Sequence, residues 1–180
     1  MYGPPVDLSF KGISNTEAAV LEVPRSGRRP LRTNSQQKYH SRSLRLSHNS
    51  ISDLAGLEYI CDHFLAQPSR IGWLDLSFNQ ITSIDPVVCE LRELHLLYLH
   101  GNGIWDLSEV DKLRELQHLH TITLHGNIIE TNKNYRKHVI FTLPHLKTMD
   151  FSAVTREERV LADVFQQYSR SGKATKKNPQ

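Results

Sequence analysis

The sequence predicts an α/β solenoid, with parallel strands on a concave face, short helices on the convex face and a helix capping the C-terminal end. Three observations predict it. Four stretches share the pattern apolar-x-apolar-x-x-Asn-x-Ile, at Leu44–Ile51, Leu74–Ile81, Leu97–Ile104 and Ile122–Ile129. Their asparagines, Asn49, Asn79, Asn102 and Asn127, follow at spacings of 30, 23 and 25 residues, a period typical of stacked repeats. Between the copies lie short segments with helix-period apolar residues and helix-stopping prolines.

Alternation sets one face of each strand inward: Leu44 and Leu46, Leu74 and Leu76, Leu97 and Leu99, Ile122 and Leu124. A single short strand cannot bury that face, but copies stacked about 4.8 Å apart can. The turn after each strand leaves backbone groups inside. An asparagine amide carries both donor and acceptor to satisfy them, so the four form a structural ladder whose members are worth roughly 1–3 kcal/mol each. Ile51, Ile81, Ile104 and Ile129 then return to the core.

Residues 1–42 precede the four copies and read as an extended basic arm covering the first repeat's edge. Ser14 and Glu17 stand at capping-box spacing for a short helix there, and Pro24 to Pro30 excludes regular structure. Residues 43–168 read as the repeat domain with its cap. The long first spacing predicts a helix from Ser52 to Ala66, with Leu57, Ile60, Cys61, Phe64 and Leu65 inward. Asp85 and Pro86 open a short helix with Val87, Val88 and Leu91 inward. Ser108 to Leu116 buries Val110, Leu113 and Leu116, and Thr131 to Thr142 buries Tyr135, Val139 and Ile140.

In the last unit Leu146, Met149 and Phe151 take the places of Leu119, Ile122 and Leu124, while Val154 stands at the asparagine position. Thr155 and Glu158 form a capping box. Val160, Leu161, Val164, Phe165 and Tyr168 then predict a helix whose apolar face seals the edge. Residues 169–180 form a basic tail expected to be disordered alone.

At 180 residues the chain is one domain plus tails. It holds no apolar run long enough to cross a bilayer, and Met1 to Val20 lacks a signal-peptide pattern. Cys61 and Cys89 sit among apolar residues and read as buried reduced thiols of a cytosolic protein, with a disulfide between them the alternative. The net charge of +3 is unevenly spread. Residues 1–42 carry seven Lys/Arg against three acids, 155–180 six against three, and 43–154 nine against thirteen. The basic residues of the arms, Arg25, Arg28, Arg29, Arg32, Lys173, Lys176 and Lys177, would favour an acidic partner surface.

Tyr135-Arg136, Leu143 to Phe151 (LPHLKTMDF) and Val154 to Arg159 (VTREER), with repeats near 22–25 residues, resemble the Sds22-like class of leucine-rich repeats with its C-terminal cap. The resemblance implies a cytosolic, non-catalytic binding scaffold. Members of the class work in cilia and axonemes, others in phosphatase regulation or RNA splicing. A cytoplasmic place in a ciliary or flagellar axoneme, with tubulin or axonemal proteins as partners, is what the resemblance suggests.

On each strand the residues between the inward pairs point over the concave face. Across strands they align in three columns: Ser43, Trp73, Leu96, Thr121 and Thr148; Arg45, Asp75, Tyr98, Thr123 and Asp150; Ser47, Ser77, His100, His125 and Ser152. Trp73, Leu96 and Tyr98 make an outward apolar patch suited to a partner protein. The expected partner-binding set is Arg45, Trp73, Asp75, Leu96, Tyr98, His100, Thr123 and His125. Arg45 and Asp75 read as a plain surface ion pair. His100 and His125 adjoin, but no further ligand is placed nearby, so no metal and no cofactor is expected. His95, His118, His120, His138 and His145 read as solvent-facing.

Enzyme readings fail: His100 to Gly103 is too short for a phosphate loop, and the serines lack an orienting acid. A nucleic-acid-associated adaptor binding through the basic arms, or a phosphatase-regulatory one, is the alternative; the first is weakened because Tyr39 is the lone aromatic residue interleaved with the arginines and lysines of residues 23–42. No membrane role is expected.

Overall fold

The computed structural model describes residues 3–174. Among them one sheet runs in chain order through β1 (Val6–Asp7), β2 (Ser43–Arg45), β3 (Trp73–Asp75), β4 (Leu96–Tyr98), β5 (Thr121–Thr123), β6 (Thr148–Met149) and β7 (Ser152–Ala153). β1 to β6 are parallel, and β7 folds back antiparallel on β6. The register sets Leu44, Leu74, Leu97 and Ile122 side by side, as the repeat pattern requires. The convex side is built from α1 (Thr16–Val20), α2 (Leu57–Phe64), 3-10 turns at Pro86–Glu90, Leu107–Glu115 and Ile128–Thr131, and α3 (Tyr135–Thr142). α4 (Arg156–Ala174) ends the described chain. One contiguous core runs from Val6 to Ala162.

The asparagines tie each rung to the one before it. Asn102 Oδ1 accepts from Ile81 N at 3.0 Å, and its Nδ2 donates to Leu76 O and Leu99 O, both at 3.0 Å. Asn79 does the same with Ile51, Leu46 and Leu76, and Asn127 with Ile104, Leu99 and Leu124. Each amide therefore serves two rungs, in sites where water cannot substitute.

Asn49 obeys the same rule, and that reveals a rung the sequence reading missed. Its Oδ1 accepts from Lys11 N and Ile13 N, and its Nδ2 donates to Leu8 O and Leu46 O. Residues 1–42 are thus more than an extended arm. Val6, Leu8 and Ile13 are buried in the common core, and Val6–Ile13 (VDLSFKGI) matches the repeat pattern with Lys11 in the asparagine's place. Among the described residues no strand precedes β1, so Lys11 has no earlier rung there to bridge and pairs with Glu22 at 3.2 Å. The outer edge is blunted as well. Pro4 and Pro5 offer no N–H, and Asp7 O accepts from Arg25 N at 2.7 Å.

Several helix bounds differ from expectation. α1 is capped by Asn15, whose side chain accepts from Ala18 N, in place of Ser14. α2 starts at Leu57 and not at Ser52, because Asp53 and Leu54 close a turn and Gly56 is left-handed at φ 79°. There a Cβ would stand 2.4 Å from Thr16 Oγ1. The helix expected at Thr131–Thr142 starts only at Tyr135, after a 3-10 turn over Ile128–Thr131.

The C-terminal end departs furthest. Met149 aligns with Ile122, but Phe151 does not follow Leu124 inward. Asp150 and Phe151 are both left-handed, φ 50° and 60°, and form the two-residue turn between β6 and β7. Phe151 is 61% exposed. Asp150 takes over the missing strand: its Oδ1 accepts from Leu124 N at 2.7 Å and His125 N at 3.0 Å. In the preceding rung, the N–H of Leu99 finds a backbone carbonyl at the corresponding place, Thr123 O.

The capping box closes as expected, with Thr155 N donating to Glu158 Oε2 and Glu158 N to Thr155 Oγ1. Yet α4 does not seal the edge with its apolar face. Ala162 is buried, whereas Val160, Leu161 and Val164 are exposed. α4 docks through Ala162, through Phe165, half-buried with Lys137 Nζ 5.4 Å from its ring centroid, and through polar groups. Arg136 Nε donates to Glu158 Oε1 at 2.6 Å, and the Arg159 guanidinium donates to Pro144 O and Leu146 O. The tail expected to be disordered from Ser169 continues α4 through Ala174. The side chain of Tyr168 and residues 175–180, including Lys176 and Lys177, lie outside the described residues. Cys61 is buried, its thiol pushed up to about 12 by desolvation. Cys89 is half-buried and unpaired to it, with its Sγ donating to Lys112 O.

Asn102→Ala is expected to lower unfolding free energy by about 1–3 kcal/mol in urea denaturation. Lys11→Ala, at the equivalent place in the unbridged first rung, is expected to change it by less than about 0.5 kcal/mol.

Candidate functional site

Strand pairing places Ser43, Trp73, Leu96, Thr121 and Thr148 in one concave column and Arg45, Asp75, Tyr98 and Thr123 in the next. Trp73, Leu96 and Tyr98 are half-buried, with the Trp73 and Tyr98 rings edge to face at 5.9 Å. Three members of the expected contact set prove covered by their neighbours. Thr123 is fully buried, and its Oγ1 lies 2.7 Å from His100 Nδ1. His100 itself is 9% exposed. Asp75 is 4% exposed, and its Oδ1 accepts from Ser77 N and Oγ. These residues position the surface more than they present it.

Arg45 and Asp75 are accordingly no plain surface pair. Arg45 Nε lies 3.2 Å from the buried Asp75 Oδ2, and Nη1 lies 3.8 Å from Asp7 Oδ2 on the other side. Asp7 repeats the Asp75 arrangement, with Oδ1 accepting from Ser9 N and Oγ. The guanidinium thus bridges three strands through two carboxylates each tied to its own serine.

His100 and His125 stack at 4.6 Å and 8°. Burial first, and His125 second, hold the His100 imidazole below its ordinary pKa. His125 Nδ1 lies 3.2 Å from Asp150 Oδ1, and Tyr135 donates to Asp150 Oδ2 at 2.8 Å. Burial, then the Asp150 charge, raise the Tyr135 phenol, so it remains a donor. Among the described residues no group of three His, Cys, Asp or Glu is placed to hold a metal. His95, His118 and His120, expected in solvent, gather at the opposite strand ends with ring centroids 5.5–5.8 Å apart. His120 is part-buried, and desolvation lowers its pKa.

The larger finding is a continuous band of rings. Phe10 stacks on His48 at 4.2 Å, His48 on Phe78 at 4.4 Å, and Phe78 meets His100 edge-on at 5.0 Å. His100 and His125 both meet Phe151, at 5.7 and 5.6 Å. Phe151 meets Tyr98 at 5.7 Å, which returns the band to Trp73. Phe10, Phe78 and Phe151 are exposed.

Phe10, His48 and Phe78 occupy the turn position following each strand, at φ 57°, 56° and 54°, where the fourth and fifth rungs carry Gly101 and Gly126. A Cβ on Gly101 would stand 2.6 Å from Phe78 Cδ1, so the glycine makes room for that ring. Sequence reasoning missed Phe10, His48, Phe78 and Phe151. The recurring Leu-Ser-Phe and Leu-Ser-His after aligned strands was the available signal.

Of the basic residues expected to bind a partner, Arg25, Arg28, Arg29 and Arg32 are exposed, the first with its guanidinium 5.8 Å from the Phe10 ring centroid. Lys173 falls in the last turn of α4.

A leucine-rich repeat family profile matches residues 36–178. The chain belongs to the leucine-rich repeat family. Within it, the chain is 43% identical over 162 residues to leucine-rich repeat-containing protein 51 of Bos taurus and 44% identical to that of Mus musculus. In both cases the match covers 90% of this chain and 84% of the relative. The leucine-rich repeat architecture is shared with a chain of the crystal structure of the Drosophila melanogaster SNF/U2A' complex, at TM-score 0.66 and 24% identity. That match covers 97% of this chain and 87% of the other. No helix among the described residues is long and apolar enough to cross a membrane.

The lowered pKa of His100 and His120 sets a sign for pH dependence. Their neutral forms are favoured in the fold. The stability they contribute is therefore present above the ordinary imidazole pKa of about 6.5 and lost as pH falls through the lower folded value. The melting temperature is expected to drop on acidification across that range, and a His100→Gln, His120→Gln variant to drop less, as measured by circular dichroism.

Proposed function

We propose that this leucine-rich repeat chain is a non-catalytic scaffold that docks a partner protein on its concave face and the adjoining rim. The observation that carries the proposal is the ring band from Phe10 to Trp73, in which Phe10, Phe78 and Phe151 are exposed and Trp73 and Tyr98 half-buried. Aromatic side chains with one buried and one open face are efficient interface anchors. Backbone strain points the same way. A non-glycine residue in the left-handed region costs on the order of 1–3 kcal/mol, and three successive rungs hold an aromatic ring there. Strain retained at solvent-facing positions is the mark of a surface kept for contact. Arg45 and Leu96 border the band and complete the docking surface with its member His125, while Asp75, Thr123 and the band's own buried His100 fix its shape from beneath.

The Sds22-like resemblance extends the proposal to place and partner: the cytoplasm, within a ciliary or axonemal assembly, with tubulin or an axonemal protein as the docked macromolecule. That extension rests on the class resemblance alone. Proximity labelling in ciliated cells is expected to mark axonemal proteins, and labelling confined to other compartments would remove it.

For the docking face, Trp73→Ala with Tyr98→Ala and Phe151→Ala is expected to reduce partner recovery in pulldown at least tenfold. The far-ultraviolet circular dichroism spectrum should keep its shape. Full recovery by the folded triple variant would exclude the concave face as the docking surface.

A further inference from the structure

We propose that the N-terminal loop Pro24–Leu31 forms a second binding site, separate from the concave face, that receives an extended acidic segment of a partner protein. A cavity of about 540 Å³ lies between this loop and the start of β1, within the range of specific ligand sites. Pro5, Pro24, Pro30 and Leu31 supply apolar walls, Tyr39 an aromatic one, and Arg25, Arg28 and Arg29 the charge.

The loop is anchored on both sides. Arg25 N donates to Asp7 O at 2.7 Å. Beyond the loop, His40 N donates to Arg32 O at 2.8 Å, and Tyr39 N donates to Phe64 O at 2.7 Å. Proline at either end further restricts the backbone between these ties. The arginines are therefore presented on a fixed frame.

The charge around the cavity is one-sided. Residues 23–52 contain seven Lys/Arg and no Asp or Glu. Of these, Arg42 and Arg45 are engaged by Glu93, Asp7 and Asp75. Arg28, Arg29 and Arg32 are exposed, and among the described residues none of them has a carboxylate within ion-pair distance. Asp7 also lines the cavity, but its carboxylate is turned to Ser9 and Arg45. Three guanidinium groups without counter-ions beside an apolar, proline-walled cavity match carboxylates carried on an extended chain. Planar guanidinium groups pair with carboxylates through two parallel hydrogen bonds. Single-stranded nucleic acid fits less well, since successive bases need several stacking rings and Tyr39 is the sole aromatic residue lining the cavity.

The test is fluorescence anisotropy of the full chain with fluorescein-labelled octaglutamate and, separately, a fluorescein-labelled eight-nucleotide oligothymidylate. Octaglutamate is expected to bind. R28E/R29E is expected to weaken it at least tenfold, and the charge-matched control K133E/K147E less than twofold. Both control positions are exposed and lie outside the cavity. Neither R28E nor R29E removes an ion pair, so the melting temperature should be unchanged, and the W73A/Y98A/F151A variant should bind octaglutamate as the parent does. The proposal is overturned if octaglutamate fails to bind, if the control weakens it as much as R28E/R29E, or if oligothymidylate binds more tightly and is lost in the same variant.

Discussion

The architecture depends on one constraint: each buried turn must satisfy its backbone groups, and the first four do so with an amide belonging to the following rung. Asn49, Asn79, Asn102 and Asn127 each bond backward as well as within their own copy. Leucine packing alone would hold the rungs together without fixing their relative height, since apolar contact is non-directional. The amides supply direction. They lock the register that aligns Trp73 with Leu96 and Asp75 with Tyr98, and so they determine which side chains meet on the concave face.

Much of this was legible because it is local and periodic. Leucine alternation, the asparagine and the following isoleucine recur within eight residues, and the columns they imply are those the strand pairing shows. The first rung escaped because the pattern was read as requiring asparagine. Lys11 stands there, in the first rung of the described sheet, and pairs with Glu22 instead of bridging backbone. Phe151 was misplaced because alternation assumes that the strand continues, whereas Asp150 ends it by accepting N–H groups with its side chain. The apolar spacing of Val160, Leu161 and Val164 specifies a helix, as α4 shows, but periodicity cannot say whether a face finds a neighbour. The ring band was the least legible feature. Its members come from six strand-and-turn units and are adjacent only after stacking.

The two proposed surfaces meet at Phe10, where the Arg25 guanidinium approaches the ring. One surface is a band of rings on the concave face and its rim; the other is a cavity with charged edges beyond the first strand. Their chemistries differ, so a partner chain that crossed from one to the other would meet aromatic contacts first and arginines afterwards. The first rung, overlooked as an arm, is what fixes both: it carries Phe10 on one side and supports the arginine loop on the other.

The ends of the sheet carry a further implication. Prolines and the Arg25 amide stand at one border, and the carboxylate of Asp150 with a reversed two-residue strand at the other. Among the described residues, a sibling molecule approaching either border finds the docking row interrupted and no continuous edge on which to extend the ladder.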